Sequence, residues 1–308
     1  MPFAVLDTYP EFLRYWRDAR GQPIERQIEG WRAVYLAPWP ELAALQTADY
    51  AEQGLDWREV GRQRIFPTLD ERLPDMCRAH DGLLACLARV DAQARRALRV
   101  DLDLSYVIHV GLGCGAGWAT TFAGRPAVLF GLENAAEEGW VDEESLERLV
   151  AHEFGHLAHR HWRQSAGLGE GRGPWWQLIE EGIARRCEHH VLGRGSPSAA
   201  RLDEGWEDWC EEHRLWLAQE YLDTIRRGEP VNRFFGSWHE IGGRSQTGYF
   251  LGERVVREWE RDLDLAEIAR LGEATLEVRS RESLEAMARL AGGSGNPGDE
   301  RPGAGSRN

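Results

Sequence analysis

The chain has no lysine: all 37 basic residues are arginine, set against 51 carboxylates, for a formal net charge of −14. A balance this acidic excludes nucleic acid and anionic membrane as expected partners, since their surfaces repel it on average. The missing lysine is read as genome composition rather than function. Cysteine is scarce, and Cys77, Cys86, Cys114, Cys187 and Cys210 are odd in number and scattered. None forms the close pairs of a zinc ribbon or a thioredoxin-like redox site, so they read as idle thiols in a reducing compartment. Long apolar runs are also missing, and stretches such as Tyr106 to Leu112 fall well short of the roughly 20 residues that span a bilayer. The start, Met1-Pro2-Phe3-Ala4-Val5-Leu6-Asp7, lacks a basic region followed by an apolar one. The expectation is a soluble, cytoplasmic protein with no signal peptide. Nothing in the chain fixes its oligomeric state.

What is present suffices for a globular fold, with 308 residues and 42% hydrophobic content. Up to about residue 100, apolar and charged positions alternate at helical spacing, as in Phe12-Leu13-Tyr15-Trp16 and Leu83-Leu84-Leu87-Val90. This predicts a helical N-terminal section. Between 101 and 135 the runs Leu104 to Val110 and Ala127 to Leu132 are β-rich and separated by glycine-rich turns, predicting a small mixed or antiparallel sheet. Between these runs, Trp118-Ala119-Thr120-Thr121-Phe122 is a candidate short edge strand. Helices then dominate to 290, and the Gly, Pro, Ser and charge of 291–308 predict a disordered tail. The fold class expected is α+β, mostly helical, with a catalytic domain over 101–290.

One helix, predicted over 143–162, carries the chemistry. Asp142 is its N-cap, Glu143 and Glu144 lie where the helix dipole favours anions, and Arg160, His161 and Arg163 lie near its end. Its apolar stripe of Leu146, Leu149, Val150 and Leu157 is continued at helical spacing by His152, Glu153 and His156. Burying two imidazoles and a carboxylate without partners costs several kcal/mol, so something must compensate them. A metal ion does so. In His152-Glu153-Phe154-Gly155-His156 the two imidazoles, one turn apart, can reach one Zn²⁺ while Glu153 stands beside it as a general base. His159 occupies the place of the metzincin glycine and Trp162 that of its third histidine, which excludes that version. His159 and His161 are read as dipole partners or solvated side chains.

A hydrolytic zinc site needs a third protein ligand and an open position. The helix predicted over 175–192, after Gly173-Pro174, offers adjacent Glu180 and Glu181, and 24 residues between His156 and Glu181 allow the chain to reverse. Periodicity leaves both open: the stripe of Trp176, Ile179, Ile183 and Cys187 contains Glu180, whereas Gly182 and Ala184 give a thin surface beside Glu181 for close approach to the first helix.

The pentapeptide followed by Glu181-Gly182-Ile183-Ala184 resembles the gluzincin pattern HExxH…EGxA, and by that match Glu181 is the third ligand. More widely, Val110-Gly111-Leu112, Val128 to Glu133, the HExxH segment, Glu181-Gly182 and Gly248-Tyr249-Phe250-Leu251-Gly252 resemble the DUF2268 family of predicted Zn-dependent proteases. That similarity covers roughly residues 100 to 260. Arg185 and Arg186 depart from it, standing where relatives often carry acidic or aromatic residues. The resemblance implies a thermolysin-like architecture and hydrolysis of a peptide or protein substrate by metal-activated water, with Glu153 as the base. It also implies an oxyanion donor from a later helix, Tyr249, with His239 as the rival, and a substrate strand paired near Gly115 to Phe122. Two other functions use the same residues: a zinc-containing binding or regulatory protein without turnover, and a zinc hydrolase of non-peptide amides or esters.

Overall fold

A computed structural model describes residues 3–52, 54–193, 205–236 and 239–289. The tail expected over 291–308, and all but the first residue of the glycine-rich loop at 193–198, lie outside them. The chain forms two compact units, Met1–His161 with Cys187–Arg201, and Trp162–Arg186 with Leu202–Asn308. Mostly helical with a small mixed sheet, it belongs to the α+β class. Among the described residues no helix is long and apolar enough to cross a membrane.

The first unit opens with strand β1 (Phe3–Asp7), followed by helices α1 (Tyr9–Ala19), α2 (Ile24–Gly30), α3 (Pro40–Glu52), α4 (Trp57–Val60) and α5 (Leu69–Leu98). Then come β2 (Leu104–His109), β3 (Gly117–Phe122), β4 (Arg125–Gly131), α6 (Leu132–Glu137) and α7 (Glu143–Ser165). The sheet order is β1-β2-β4-β3, with β1 and β4 parallel to β2 and β3 antiparallel to β4. Central β2 and β4 are apolar on both faces, as Tyr106-Val107-Ile108 and Val128-Leu129-Phe130 are all buried. That is the composition a strand flanked by two neighbours and covered on both sides requires. β1 is the difference from the sequence reading, which keeps the sheet within 101–135. Its residues show no alternation and Val5 is 42% exposed; parallel pairing with the side of β2 left open by β4, rather than any side-chain pattern, holds it in the sheet.

Helix α5 buries Met76, Ala79, Leu83, Cys86, Leu87, Val90 and Ala94 along one face, a helical repeat of three and four. Its Gly82 lies under Leu146 of α7, whose Cδ1 would be 2.4 Å from a Cβ there, so the two helices meet closely. Arg89 of α5 reinforces the contact by pairing with Glu143 at 2.9 Å and with Glu147. The expected cap of α7 is present: Asp142 accepts from the Ser145 N–H at 3.0 Å.

The second unit takes the last turn of α7, the body of α8 (Pro174–Leu192) up to Arg186, and then α9 (Trp206–Glu212), α10 (Arg214–Arg226), α11 (Thr247–Trp259), α12 (Leu265–Ala269) and α13 (Glu273–Arg289). Helix α13 packs on α10 and α11. The decisive crossing is that of α8 with α11. A Cβ on Gly182 would lie 2.3 Å from the Gly252 carbonyl oxygen, and one on Gly252 would lie 2.3 Å from that of Leu178. Only two glycines let these backbones touch. The thin surface at Gly182, read from sequence as serving the active-site helix, therefore receives α11. Arg163, expected near the end of α7, is buried and donates to the carbonyls of Ala269 at 2.7 Å and Leu271 at 3.0 Å.

Candidate metal centre

Helix α7 is enclosed over much of its circumference, with Leu146, Val150, Phe154, Ala158 and the polar residues His152, Glu153 and His156 all buried. The two imidazoles are set edge to face, with ring centroids 4.9 Å apart and planes at 80°. Their Nε2 atoms lie 3.2 Å apart. Two nitrogens bound tetrahedrally to one zinc at the usual bond length would be separated by about 3.3 Å, so the pair is already spaced as a chelate. One ligand atom from each of His152, His156 and Glu181 lies within 4.8 Å of the others, a group that could hold a metal ion. Two imidazole nitrogens and a carboxylate oxygen form a donor set that suits zinc.

Between the two glutamates that the sequence leaves open, Glu181 is the one that joins the histidines. Glu180 instead accepts from the indole N–H of Trp176 one turn before it, at 2.9 Å. Trp176 is buried, with the Arg163 guanidinium 4.6 Å from its ring centroid, so it packs as scaffold.

Glu153 belongs to the first unit and meets β3. A Cβ built on Gly117 would lie 2.5 Å from Glu153 Oε1 and 2.6 Å from Cγ. Any side chain at 117 would displace this carboxylate, which is the physical reason for glycine at the start of the strand. The loop leading to Gly117 is tied down by buried polar groups. Glu133 accepts from the backbone N–H of Gly111 at 2.7 Å and Gly113 at 3.0 Å, Asn134 from Gly115 at 3.0 Å, and Gln46 from Leu112 at 2.8 Å. Burial raises the Glu133 carboxyl above its usual range, against the lowering pull of the N–H donors.

Behind His152 lies a residue that motif reading missed. Glu188 is fully buried, and its Oε2 is 4.0 Å from His152 Nδ1, the ring nitrogen opposite the one that faces His156. Glu188 stands seven residues, two helical turns, beyond Glu181, a spacing at which a reader of the helix could have sought it. Arg185 and Arg186 are drawn elsewhere: both approach Glu253 of α11, at 3.7 and 3.6 Å, and Arg186 also pairs with Glu260. His159, read as a dipole partner or solvated, is instead buried. A single-stripe reading fails there because α7 is covered on more than one face.

Tyr249 is in the first turn of α11, three residues before Gly252, half-buried, with its ring edge-on to Phe235 at 5.7 Å. His239 is exposed and precedes α11 in the loop that contains Gly242 and Gly243. Of the five cysteines, Cys86, Cys187 and Cys210 are buried and Cys77 exposed, all as free thiols. Comparison with family models, with curated proteins and with solved structures finds no match for this chain.

Proposed function

We propose that the chain is a zinc-dependent peptidase of gluzincin type that holds its metal with His152, His156 and Glu181. The observation that carries this reading is the chelate spacing of the two Nε2 atoms, 3.2 Å, in a group completed by Glu181. Held by these residues, zinc would supply Lewis acidity toward water and a scissile carbonyl. Glu153 takes the proton from the attacking water and later delivers it to the leaving amine. Its place against Gly117 supports that role, because a base beside the start of an edge strand stands where an extended peptide would pass. By the gluzincin resemblance, the Tyr249 hydroxyl would donate a hydrogen bond to the developing oxyanion. The thermolysin-like architecture belongs to the same proposal.

A buried carboxylate that is not needed as a ligand favours turnover over a purely structural metal site. The test is Glu153→Gln, assayed for bound zinc and for cleavage of a peptide library with a chelator control. The expected outcome is full zinc content with hydrolysis lowered at least about a hundredfold, the scale of a general base. Undiminished cleavage by this variant, or cleavage by the native chain that survives metal removal, overturns the reading.

A further inference from the structure

Among the described residues strand β3 ends the sheet, so which of its backbone groups point outward decides what can pair with it. The two-residue turn of Ala123 and Gly124, with φ of 50° and 73°, makes Phe122 and Arg125 a hydrogen-bonded pair. Alternation then makes Thr120 with Ala127 and Trp118 with Leu129 bonded pairs, and leaves Thr121 with Pro126, Ala119 with Val128 and Gly117 with Phe130 unbonded. Two observations agree. The Gly131 N–H donates to the Ala116 carbonyl at 3.1 Å, the next bonded pair in that register, and Pro126, which has no N–H, stands in an unbonded one. The backbone N–H and C=O of Gly117, Ala119 and Thr121 therefore face away from β4.

Of the three residues with outward backbone groups, Gly117 has Glu153 on the side where a Cβ would stand, whereas the Ala119 carbonyl is already engaged. Arg160, one turn beyond His156 on α7, donates from Nη1 to it at 2.8 Å. Its part-buried guanidinium occupies the place where an incoming strand would bring its own N–H.

We infer that Arg160 closes the pairing edge of β3 at Ala119, so that a peptide gains backbone pairing at Gly117 and none further along, and that the substrates are accordingly short peptides. Arg160 is thus a specificity-determining residue that sets substrate length on one side of the scissile bond. The inference rests on the peptidase reading and adds the substrate class to it.

The test uses zinc-loaded full chain and two series of blocked peptides, extended one residue at a time on the amino or the carboxyl side of a cleaved bond. Binding is measured by titration in a Glu153→Gln background, and kcat/KM in the active chain. With Arg160 native, extension beyond about two residues on one side should gain nothing. Arg160→Met should raise the preference for long over short peptides on that side about tenfold, the gain from roughly two net backbone hydrogen bonds. Arg160→Lys, which keeps a donor there, should retain the native profile, and thermal melts confirm that each variant is folded. A native chain whose affinity rises with length on both sides, or an Arg160→Met profile identical to the native one, overturns the inference. Peptide binding without hydrolysis by the native chain removes the peptidase reading and still leaves the length profile to judge Arg160; absence of both binding and hydrolysis removes both.

Discussion

At the scale of single residues, the site depends on which groups hold the ligands as much as on the ligands. A histidine that binds metal through Nε2 is oriented by what meets its Nδ1; on the proposed reading of His152, the buried carboxylate of Glu188, 4.0 Å from Nδ1, would serve that end. Glu188→Gln removes the charge while conserving shape, and is expected to weaken zinc binding about 10–100-fold in a competition titration. Glu180→Gln serves as the comparison: its carboxylate is held by the Trp176 indole, so zinc affinity should stay within about twofold of native, a difference worth under ~0.5 kcal/mol. Equal losses in the two variants would mean that Glu188 acts through helix stability. That His152, Glu153 and His156 turn inward together was legible in the sequence because they continue an apolar stripe, where three polar groups demand compensation. Glu188 was not, because its two-turn spacing from Glu181 places it on the same face of the helix without naming the neighbour it meets.

At the scale of elements, the helix bearing Glu181 is positioned by backbone contact. Where α8 crosses α11, Gly182 and Gly252 face each other so closely that a methyl on either would lie 2.3 Å from a carbonyl oxygen of the other helix. Gly252→Ala forces the helices apart, and we expect a loss of about 1–3 kcal/mol from overpacking, read as a lower urea midpoint. Zinc affinity should fall with it, since Glu181 adjoins the crossing. An unchanged midpoint would show that the helices separate without cost. The starts of α7 and α8 were readable from Asp142 and from the Gly173-Pro174 break, whereas α7 runs on to Ser165, three residues past the expected end. That Gly182 serves α11 was not, since a small residue announces close approach without naming the partner.

At the scale of the whole molecule, acid sensitivity follows from an imidazole outside the metal group. His109, at the end of β2, is fully enclosed, accepts from Gln46, and burial lowers its pKa from 6.5 to about 4. Unfolded, it takes up a proton below about 6.5; folded, it resists until about 4. Within that window the unfolded state binds more protons, so stability falls as pH drops from 6.5 to about 4, by up to ~1.4 kcal/mol per pH unit. Urea melts of chelator-treated protein across this range should show the slope, and His109→Gln should flatten it. A variant with the native slope would assign the acid sensitivity to other groups.

The sequence by itself determined the local matters: where helices begin, which stretches are β-rich, and that two histidines and a glutamate on one turn need a counterpart. These follow from spacing and burial cost along a single element. The tertiary structure alone decided the matters that join distant segments. It recruited β1 to the sheet, put a ligand atom of Glu181 within 4.8 Å of one from each of His152 and His156, set Glu188 behind His152, drew Arg185 and Arg186 to Glu253, and placed Arg160 on the edge of β3. Each of these is a pairing between groups whose meeting depends on how elements cross, and the periodicity of one helix or strand contains no record of that crossing.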